Sequence, residues 1–311
     1  MNSIAAQIVA VERAPSPEPL RSRRSVSVVM VVYMTGEALE QSLACVMAEP
    51  GVDELVIVDN GSTPAEAERL RALDGRDDRV RLITGHGNIG FAKGANLGAA
   101  RARGDLLVFL NPDAFLQAGC IEALAREIEG RAAPCLVGGR VLNADGTEQR
   151  GARRGEITPM SAVLSMSGLA KGRALSRYEV HWEGDALPDH AVPTPTISGA
   201  CFCMRREDFD QVGGFDEGYF LHVEDIDLCW RARKMGGEVL FHPQAEVVHI
   251  GGTSQTSPLK VEFHKGVGLA RYFRKRADGL GEQALAWALS PLVVLAAVVR
   301  PLVWRLTGRA G

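Results

Sequence analysis

Three carboxylates, Glu224, Asp225 and Asp227, fall within four residues. They lie in GYFLHVEDIDLCWRARKMGG, Gly218 to Gly237, between an apolar approach (Tyr219, Phe220, Leu221) and a helical pattern (Leu228, Trp230, Met235). Crowded carboxylates repel one another, and burial raises their pKa values. Such a cluster adds little stability and points to proton transfer or metal binding. The same residues also suit an acidic helix N-terminus, where Asp and Glu favour the macrodipole. Both readings stand at this segment.

Other stretches offer partners for that chemistry. In NPDA, Asp113 closes an apolar run. A single carboxylate there suits a hard divalent ion that diphosphate oxygens also hold, although Asp is equally common as a helix cap. In AEVVHIGG, His249 follows a second apolar run. Alone it reads as a structural residue. Beside Asp113 it would ligate Mn²⁺ or Mg²⁺, with imidazole favouring Mn²⁺. VDNGST places Asp59 and Asn60 where they can accept hydrogen bonds from a base or ribose, or simply make a turn. In GNIGFAKGANLGAARARGD, Gly87, Gly90 and Gly94 permit close backbone approach, and Asn88 and Asn96 offer amides. This stretch lacks the Lys-Ser/Thr pair of a P-loop, and no G-x-G-x-x-G follows the first strand.

The elements that must position these residues alternate. Ser25–Tyr33, Glu54–Asn60, RVRLITG and Asp105–Asp113 read as strands buried on both faces. Helical patterns lie between them, from Gly36 to about Ala48, Pro64 to Leu73 and Ala92 to Arg103. The pattern predicts an α/β fold with a mostly parallel, doubly wound sheet, with ligands beyond the carboxyl ends of its strands. Asp59, Asn60 and Asp113 fall at those ends. Further along, Ala118–Ile128 reads as a helix, CLVGGRVLN as a strand, Met160–Leu169 as a short helix and Thr196–Arg205 as a strand. GEVLFHPQAEVVHIGG reads as two strands. Residues 150–195 form a long irregular insertion, the kind that usually serves a binding surface. Arg150, Arg153, Arg154 and Lys171 there are expected to meet an acceptor diphosphate or lipid head groups, or to be plain solvated cations. Asp227 and Arg231 stand at i, i+4, a pair expected to contribute only ~0.3–0.5 kcal/mol.

Taken together, VVMVVYMTGEALEQSL, ELVIVDNGS, NIGFAKGANLGAARARGDLLVFLNPDA, SGACFCMRREDFDQVGGFDEGYFLHVEDIDLCWRARKMG and AEVVHIGGTS resemble, in order and spacing, the segments of family-2 inverting glycosyltransferases. Within that family the chain is similar to bacterial rhamnosyltransferases that build polyprenol-linked glycans. The resemblance covers roughly residues 25–255. It implies a GT-A fold and a nucleotide-diphosphate sugar donor, with dTDP-L-rhamnose the first guess. The implied acceptor is a glycan or lipid-linked hydroxyl at the cytoplasmic face of the inner membrane. By the same resemblance Asp59 holds the base, with Asn60 also among the donor-binding residues, and the Asn88–Asn96 loop with Gly90 lines the nucleotide and ribose. Asn111 replaces the first Asp of a DxD pair, leaving Asp113 and His249 to hold Mn²⁺ or Mg²⁺. Gly199 and Ala200 pass under the donor sugar. Asp225 is the catalytic base, with Glu224 beside it. Two departures stand out: Met34 follows Tyr33 where Asn is usual, and Pro195-Thr196-Ile197 lacks the aromatic usual before SGA.

The implied organisation is a disordered leader over 1–24 and a GT-A domain over 25–275, with a nucleotide-sugar half (25–115) and an acceptor half (116–275). A membrane-associating helical tail follows over 276–311. The leader ends in Pro, Ser and Arg, without the basic start and apolar core of a signal peptide. In the tail, the uncharged stretch Ala284–Val299 is shorter than a full span of ~20 residues and is interrupted by Pro291. Arg300, Arg305, Trp287 and Trp304 give it an interfacial composition. A net charge of -3 argues against a general nucleic-acid binder. The six scattered cysteines are expected to be free thiols. Two rival readings are a non-catalytic transferase-like scaffold and a nucleotidyltransferase. The first has no reason to retain Asp113, Asp225 and His249 together. The second needs a basic Gly-rich loop after the first strand, which this chain lacks.

Overall fold

The computed structural model describes residues 23–167, 175–254 and 256–307. Most of the expected leader, and Lys171, lie outside the described residues. The first half runs β1 (Val26–Val32), α1 (Glu37–Ala48), β2 (Glu54–Asp59), α2 (Pro64–Asp74), β3 (Val80–Ile83), α3 (Phe91–Arg101), β4 (Leu106–Leu110) and β5 (Ala114–Leu116). Every residue of β1 is buried, as its β-branched run requires of a strand covered on both faces. α2 starts with a capping box between Thr63 and Glu66, with Pro64 in its first turn. α3 presents Ala92, Ala95 and Ala99 to the sheet, small residues that let it lie close to β1 and β2.

The second half runs α4 (Cys120–Ile128), β6 (Cys135–Leu142), β7 (Arg153–Arg154), α5 (Pro159–Ser167), β8 (Val192–Pro193), β9 (Thr196–Ile197), β10 (Cys201–Arg205), α6 (Arg206–Val212), α7 (Glu224–Lys234) and β11 (Glu238–His249). Two long helices follow, α8 (Pro258–Arg276) and α9 (Leu280–Thr307). Among the described residues a nine-stranded sheet has the order β3-β2-β1-β4-β10-β6-β11-β5, with β8 also on β11. β3, β2, β1 and β4 are parallel, as are β6 and β11, while β10 runs antiparallel between β4 and β6. Alternation along β1 divides the core. Val28 and Met30 face one side with Leu55, Ile57 and Leu124, and Val29 and Val31 face the other with Phe109, Phe202 and Phe215.

Three elements depart from the sequence expectation. Thr196–Arg205 is two strands, because residues 198–200 leave the ladder and turn their backbone groups toward Ala152, Asn111 and Asp225. GEVLFHPQAEVVH is one strand, because β6 spans both of its halves and a register shift between His242 and Glu246 accommodates Pro243. α9 runs unbroken through Pro291. Near that point Arg274 on α8 donates to Ser290 Oγ at 2.7 Å and lies over the Trp287 ring.

All six cysteines are free. Asp227 is more than a surface pair. It is fully buried and accepts from Arg231 Nε (2.6 Å), Tyr219 Oη (3.2 Å) and Lys275 Nζ, while Arg231 also donates to the carbonyls of Val212 and Gly214. This network, with Arg271 and Lys275 on Asp216, clamps α8 to the domain.

Candidate active site

Parallel β1, β2 and β4 bring their carboxyl ends to one edge, which carries Asp59 and residues 111–113. Antiparallel β10 begins at that edge, with Cys201 opposite Leu110, so Gly199 and Ala200 lie beside the end of β4. Antiparallel pairing of β11 with β5 sets His249 opposite Ala114. Topology alone therefore gathers residues that are far apart in the chain.

His249 Nε2 lies 3.1 Å from Asp113 Oδ1 and 3.2 Å from Asn111 Nδ2. Thr253 Oγ1 donates to Asp113 Oδ2 at 2.8 Å. Gln149 fixes the imidazole. Its Nε2 donates to the His249 carbonyl (3.0 Å), so its Oε1 accepts from His249 Nδ1 (2.7 Å). That bond places the neutral ring's proton on Nδ1 and leaves the Nε2 lone pair facing Asp113. Two acceptors at that separation attract only if a proton or a cation lies between them. Octahedral ions with bonds near 2.1 Å hold neighbouring donors about 3 Å apart, so this donor set fits a small divalent cation. No third carboxylate, imidazole or thiol joins the pair among the described residues. Substrate oxygens and water would have to complete the shell. Burial raises the Asp113 carboxyl, but a proton on His249 Nε2, one of the two occupants that make this contact attractive, and the Thr253 hydroxyl outweigh it and hold it below the ordinary carboxylate range.

The residues expected on the nucleotide side are bound into loops. Asp59 Oδ1 accepts the N–H groups of Gly61 (3.0 Å) and Ser62 (2.7 Å). Asn60 donates to the Gly90 carbonyl (2.9 Å) and meets His86 Nε2 (3.0 Å), while Asn88 Oδ1 accepts from Gly90 N. Gly90 has φ +85°, and a Cβ there would lie 2.7 Å from the Phe220 carbonyl oxygen, so only glycine fits. Asn96 is committed elsewhere. Its amide pairs with both backbone groups of Phe215, at 2.9 Å each, and it clasps the GGFDE turn rather than lining a pocket.

Residues 199–200 connect the Asp113–His249 corner to the acidic helix. Ala200 accepts from Asn111 N (2.9 Å), and Gly199 N donates to Asp225 Oδ2 (3.1 Å). A Cβ on Gly199 would stand 3.2 Å from Asp225 Cβ. Asp225 Oδ1 accepts from Ile226 N (2.8 Å), and Arg154 Nη2 lies 2.6 Å from Oδ2. Burial pushes Asp225 up, and Arg154 with the two N–H donors more than reverses this. Its neighbour behaves oppositely. Glu224 is 7% exposed, its Oε2 has no hydrogen-bond partner, and burial with the adjacent Asp225 charge pushes it up to about 8. His222 and Val223, just before this pair, have φ 67° and 76°. A left-handed conformation is costly for a β-branched residue, of order 1–3 kcal/mol, and such strain clusters at functional sites.

Arg153 does not reach the cleft. It is buried against Glu148, the carbonyls of Asp185 and Ala186 and the Phe241 ring. Sequence reasoning did not find Gln149 or Thr253, which no local pattern marks.

Solved structures share this architecture. GalNAc-T7 with UDP, GalNAc and Mn²⁺ superposes with a TM-score of 0.58 at 18% identity, over 81% of this chain and 48% of that one. This chain thus spans about half of that protein. The mannosyltransferase PcManGT from Pyrobaculum calidifontis, with GDP-Man and Mn²⁺, gives 0.57 at 16% identity, over 92% of this chain and 76% of that one. The fold is GT-A, with an apolar C-terminal helix. The family model for glycosyl transferase family 2 matches residues 27–213, and one described as the N-terminal domain of galactosyltransferase matches 186–252. The chain belongs to glycosyltransferase family 2 and is rhamnosyltransferase-like. An N-acetylglucosaminyl-diphospho-decaprenol L-rhamnosyltransferase of Mycobacterium tuberculosis is 29% identical over 234 residues, 71% of this chain and 75% of that one. A low-salt glycan biosynthesis hexosyltransferase of Haloferax volcanii is 26% identical, over 67% of this chain and 61% of that one.

Proposed function

We propose that this glycosyltransferase moves L-rhamnose from dTDP-L-rhamnose to a hydroxyl of a polyprenol-diphosphate-linked sugar, with inversion at the anomeric carbon. One observation carries the metal-dependent reading: the approach of His249 to Asp113 within 3.1 Å, with the ring tautomer set by Gln149. These two residues would hold Mn²⁺ or Mg²⁺, which when bound neutralises charge developing on the departing diphosphate. Asp59 and the Asn60–Asn88–Gly90 loop shape the nucleotide side. Gly199 and Ala200, which have no bulky side chain, let the sugar lie against the backbone between the two corners. Asp225 takes the proton of the acceptor hydroxyl as that oxygen attacks the anomeric carbon. Glu224, kept neutral, adds no second charge to the base.

The acceptor side of this reading draws on the mycobacterial relative and on α9. Among the described residues α9 alone is long and apolar enough to cross a membrane. Its Leu280–Val299 window has a mean hydropathy of 1.7, and only 11% of it is buried. Leu285, Trp287, Leu292 and Leu295 are more than half exposed. The helix would dock the enzyme on the cytoplasmic face of the membrane, where nucleotide sugars are available.

The test is transfer from a panel of dTDP-, UDP- and GDP-sugars to a short-chain polyprenyl-diphospho-N-acetylglucosamine, with and without Mn²⁺. Metal-dependent transfer from dTDP-L-rhamnose is expected. Donor binding without transfer from any member of the panel would leave only the scaffold reading.

A further inference from the structure

One oxygen of the proposed base is covered, while the other, Oδ1, accepts only from Ile226 N in its own helix. Asp225 Oδ2 receives both the Gly199 N–H and Arg154 Nη2, and a carboxylate oxygen has two lone-pair sites. No site on that oxygen remains for an incoming hydroxyl. Arg154 itself is poorly satisfied. Its Nη2 also reaches the Ile197 carbonyl at 3.2 Å, but its Nε is buried with no partner. A buried unpaired N–H costs free energy, so a better acceptor would draw this side chain away.

Further donors stand nearby. Arg154 and His181 pair as an isolated antiparallel bridge, and Arg150 Nη2 approaches His181 Nε2 at 3.0 Å. His181 Nδ1 is buried without a hydrogen bond, with Glu183 3.9 Å away. Burial and Arg150 hold His181 below its usual pKa, so its neighbours supply the positive charge. Two guanidiniums and an imidazole, with Arg154 Nε and His181 Nδ1 unmet, present the kind of donors a diphosphate accepts. Arg–phosphate contacts are charge-assisted and often bidentate, and a diphosphate carries more charge than one carboxylate.

We infer that Arg150, Arg154 and His181 form a binding site for the acceptor's diphosphate, and that Arg154 leaves Asp225 for those phosphate oxygens when acceptor binds. This rests on the polyprenol-diphosphate acceptor proposed above. Uncovered Asp225 Oδ2 then takes the acceptor's hydroxyl proton. The acceptor oxygen bonds to the anomeric carbon, and the bond from that carbon to the donor diphosphate breaks, its electron pair leaving with the nucleoside diphosphate. Without acceptor the base stays masked, and water is not activated against the donor.

The experiment measures binding and hydrolysis separately on the full chain. Geranyl diphosphate is titrated by calorimetry without donor, and donor hydrolysis is followed without acceptor. Wild type is expected to bind geranyl diphosphate, and Arg154→Ala to bind it about ten- to hundredfold more weakly. The exposed Arg103→Ala control should bind as wild type does. Donor hydrolysis should rise in Arg154→Ala, and geranyl diphosphate should stimulate it in wild type only. Arg154→Lys should recover part of the binding. If Arg154→Ala does not fold, Arg154→Lys and Arg150→Ala carry the same comparison. Equal binding by Arg154→Ala, or hydrolysis and transfer falling together, overturns the inference and leaves Arg154 a structural residue. Displacement of geranyl diphosphate by phosphatidylglycerol vesicles, at matched phosphate, assigns the site to head groups and overturns it as well. Arg154-dependent diphosphate binding in a protein that turns over no nucleotide sugar keeps the site and sinks the proposed function instead.

Discussion

Asp113 and Asp225 are joined through residues 199–200, and both carboxyls are held below the ordinary range, but by different means. At Asp113 the neighbours orient: Thr253 on one oxygen, and a His249 ring steered by Gln149 toward the other. At Asp225 the partner is a full cation, Arg154, which occupies Oδ2, the oxygen assigned to the base in the inference above. The first corner is built before its ligand arrives. By the inference above, the second is shut until something competes for Arg154. The contrast is economical for a transferase, because water is always present and a premature base would spend donor on hydrolysis. An enzyme gains from preorganising the groups that meet developing charge. It also gains from withholding the group that would activate the wrong nucleophile.

The largest effect should come from the shut corner. Asp225→Asn keeps the shape and removes the basic oxygen. Transfer should fall about 10²–10⁴-fold, the usual worth of a positioned general base. Donor affinity, by calorimetry with Mn²⁺, should stay within about threefold. A variant that loses donor affinity as well would show that the two corners do not divide the work.

Next comes the preorganised corner. Gln149→Ala leaves Asp113 and His249 in place but frees the ring to turn. Loss of such an outer-shell partner typically costs about 10–100-fold in metal affinity. The Mn²⁺ concentration for half-maximal activity should rise by that factor, with the rate at saturating metal nearly restored. A rate that excess Mn²⁺ does not recover would mean that Gln149 does more than orient the imidazole.

How much of this was legible in the sequence follows the range of the forces involved. The buried strands β1, β2 and β4 are continuous apolar runs, and the polar residues that end them announce the ligand edge. Asp113, His249 and Asp225 are chemically conspicuous at those ends. Gln149 is not, because its role depends on a turn that brings it beside a residue 100 positions away. Asn96 looked like a ligand amide but serves a backbone 119 residues on. Asp227 and Arg231 showed their helical spacing but not their burial, which Tyr219 and Lys275 complete from other segments. Met34 shows a converse case. It has φ 46°, a left-handed backbone that Asn tolerates well, so the Asn usual there suits the turn as much as any ligand. Pro243 and Pro291 both read as breaks and neither is one, since a bulge and a neighbouring helix absorb them.

The smallest predicted effect is the sharpest test of the comparison, because it concerns the carboxyl beside the shut base. Glu224 is buried and pushed up to about 8, from an ordinary value of 4.5, by burial first and then by Asp225. Its folded-state pKa lies above its unfolded one, so between those values the folded chain holds a proton that the unfolded chain has released. Stability contributed by that proton is complete at low pH and is lost as pH rises, by at most about 1.4 kcal/mol per unit, levelling off above the folded value. Gln has no proton to lose. Glu224→Gln should therefore melt near wild type at pH 5 and progressively above it toward pH 8, by a few degrees, in a thermal scan across that range. The difference must grow with pH if Arg154 bonds Asp225 and gives Glu224 only a weak attraction, smaller than the effects of burial and of the Asp225 charge. A difference flat in pH would place a positive charge at Glu224 too, and Arg154 could then no longer be read as a guard set on one carboxylate of the pair.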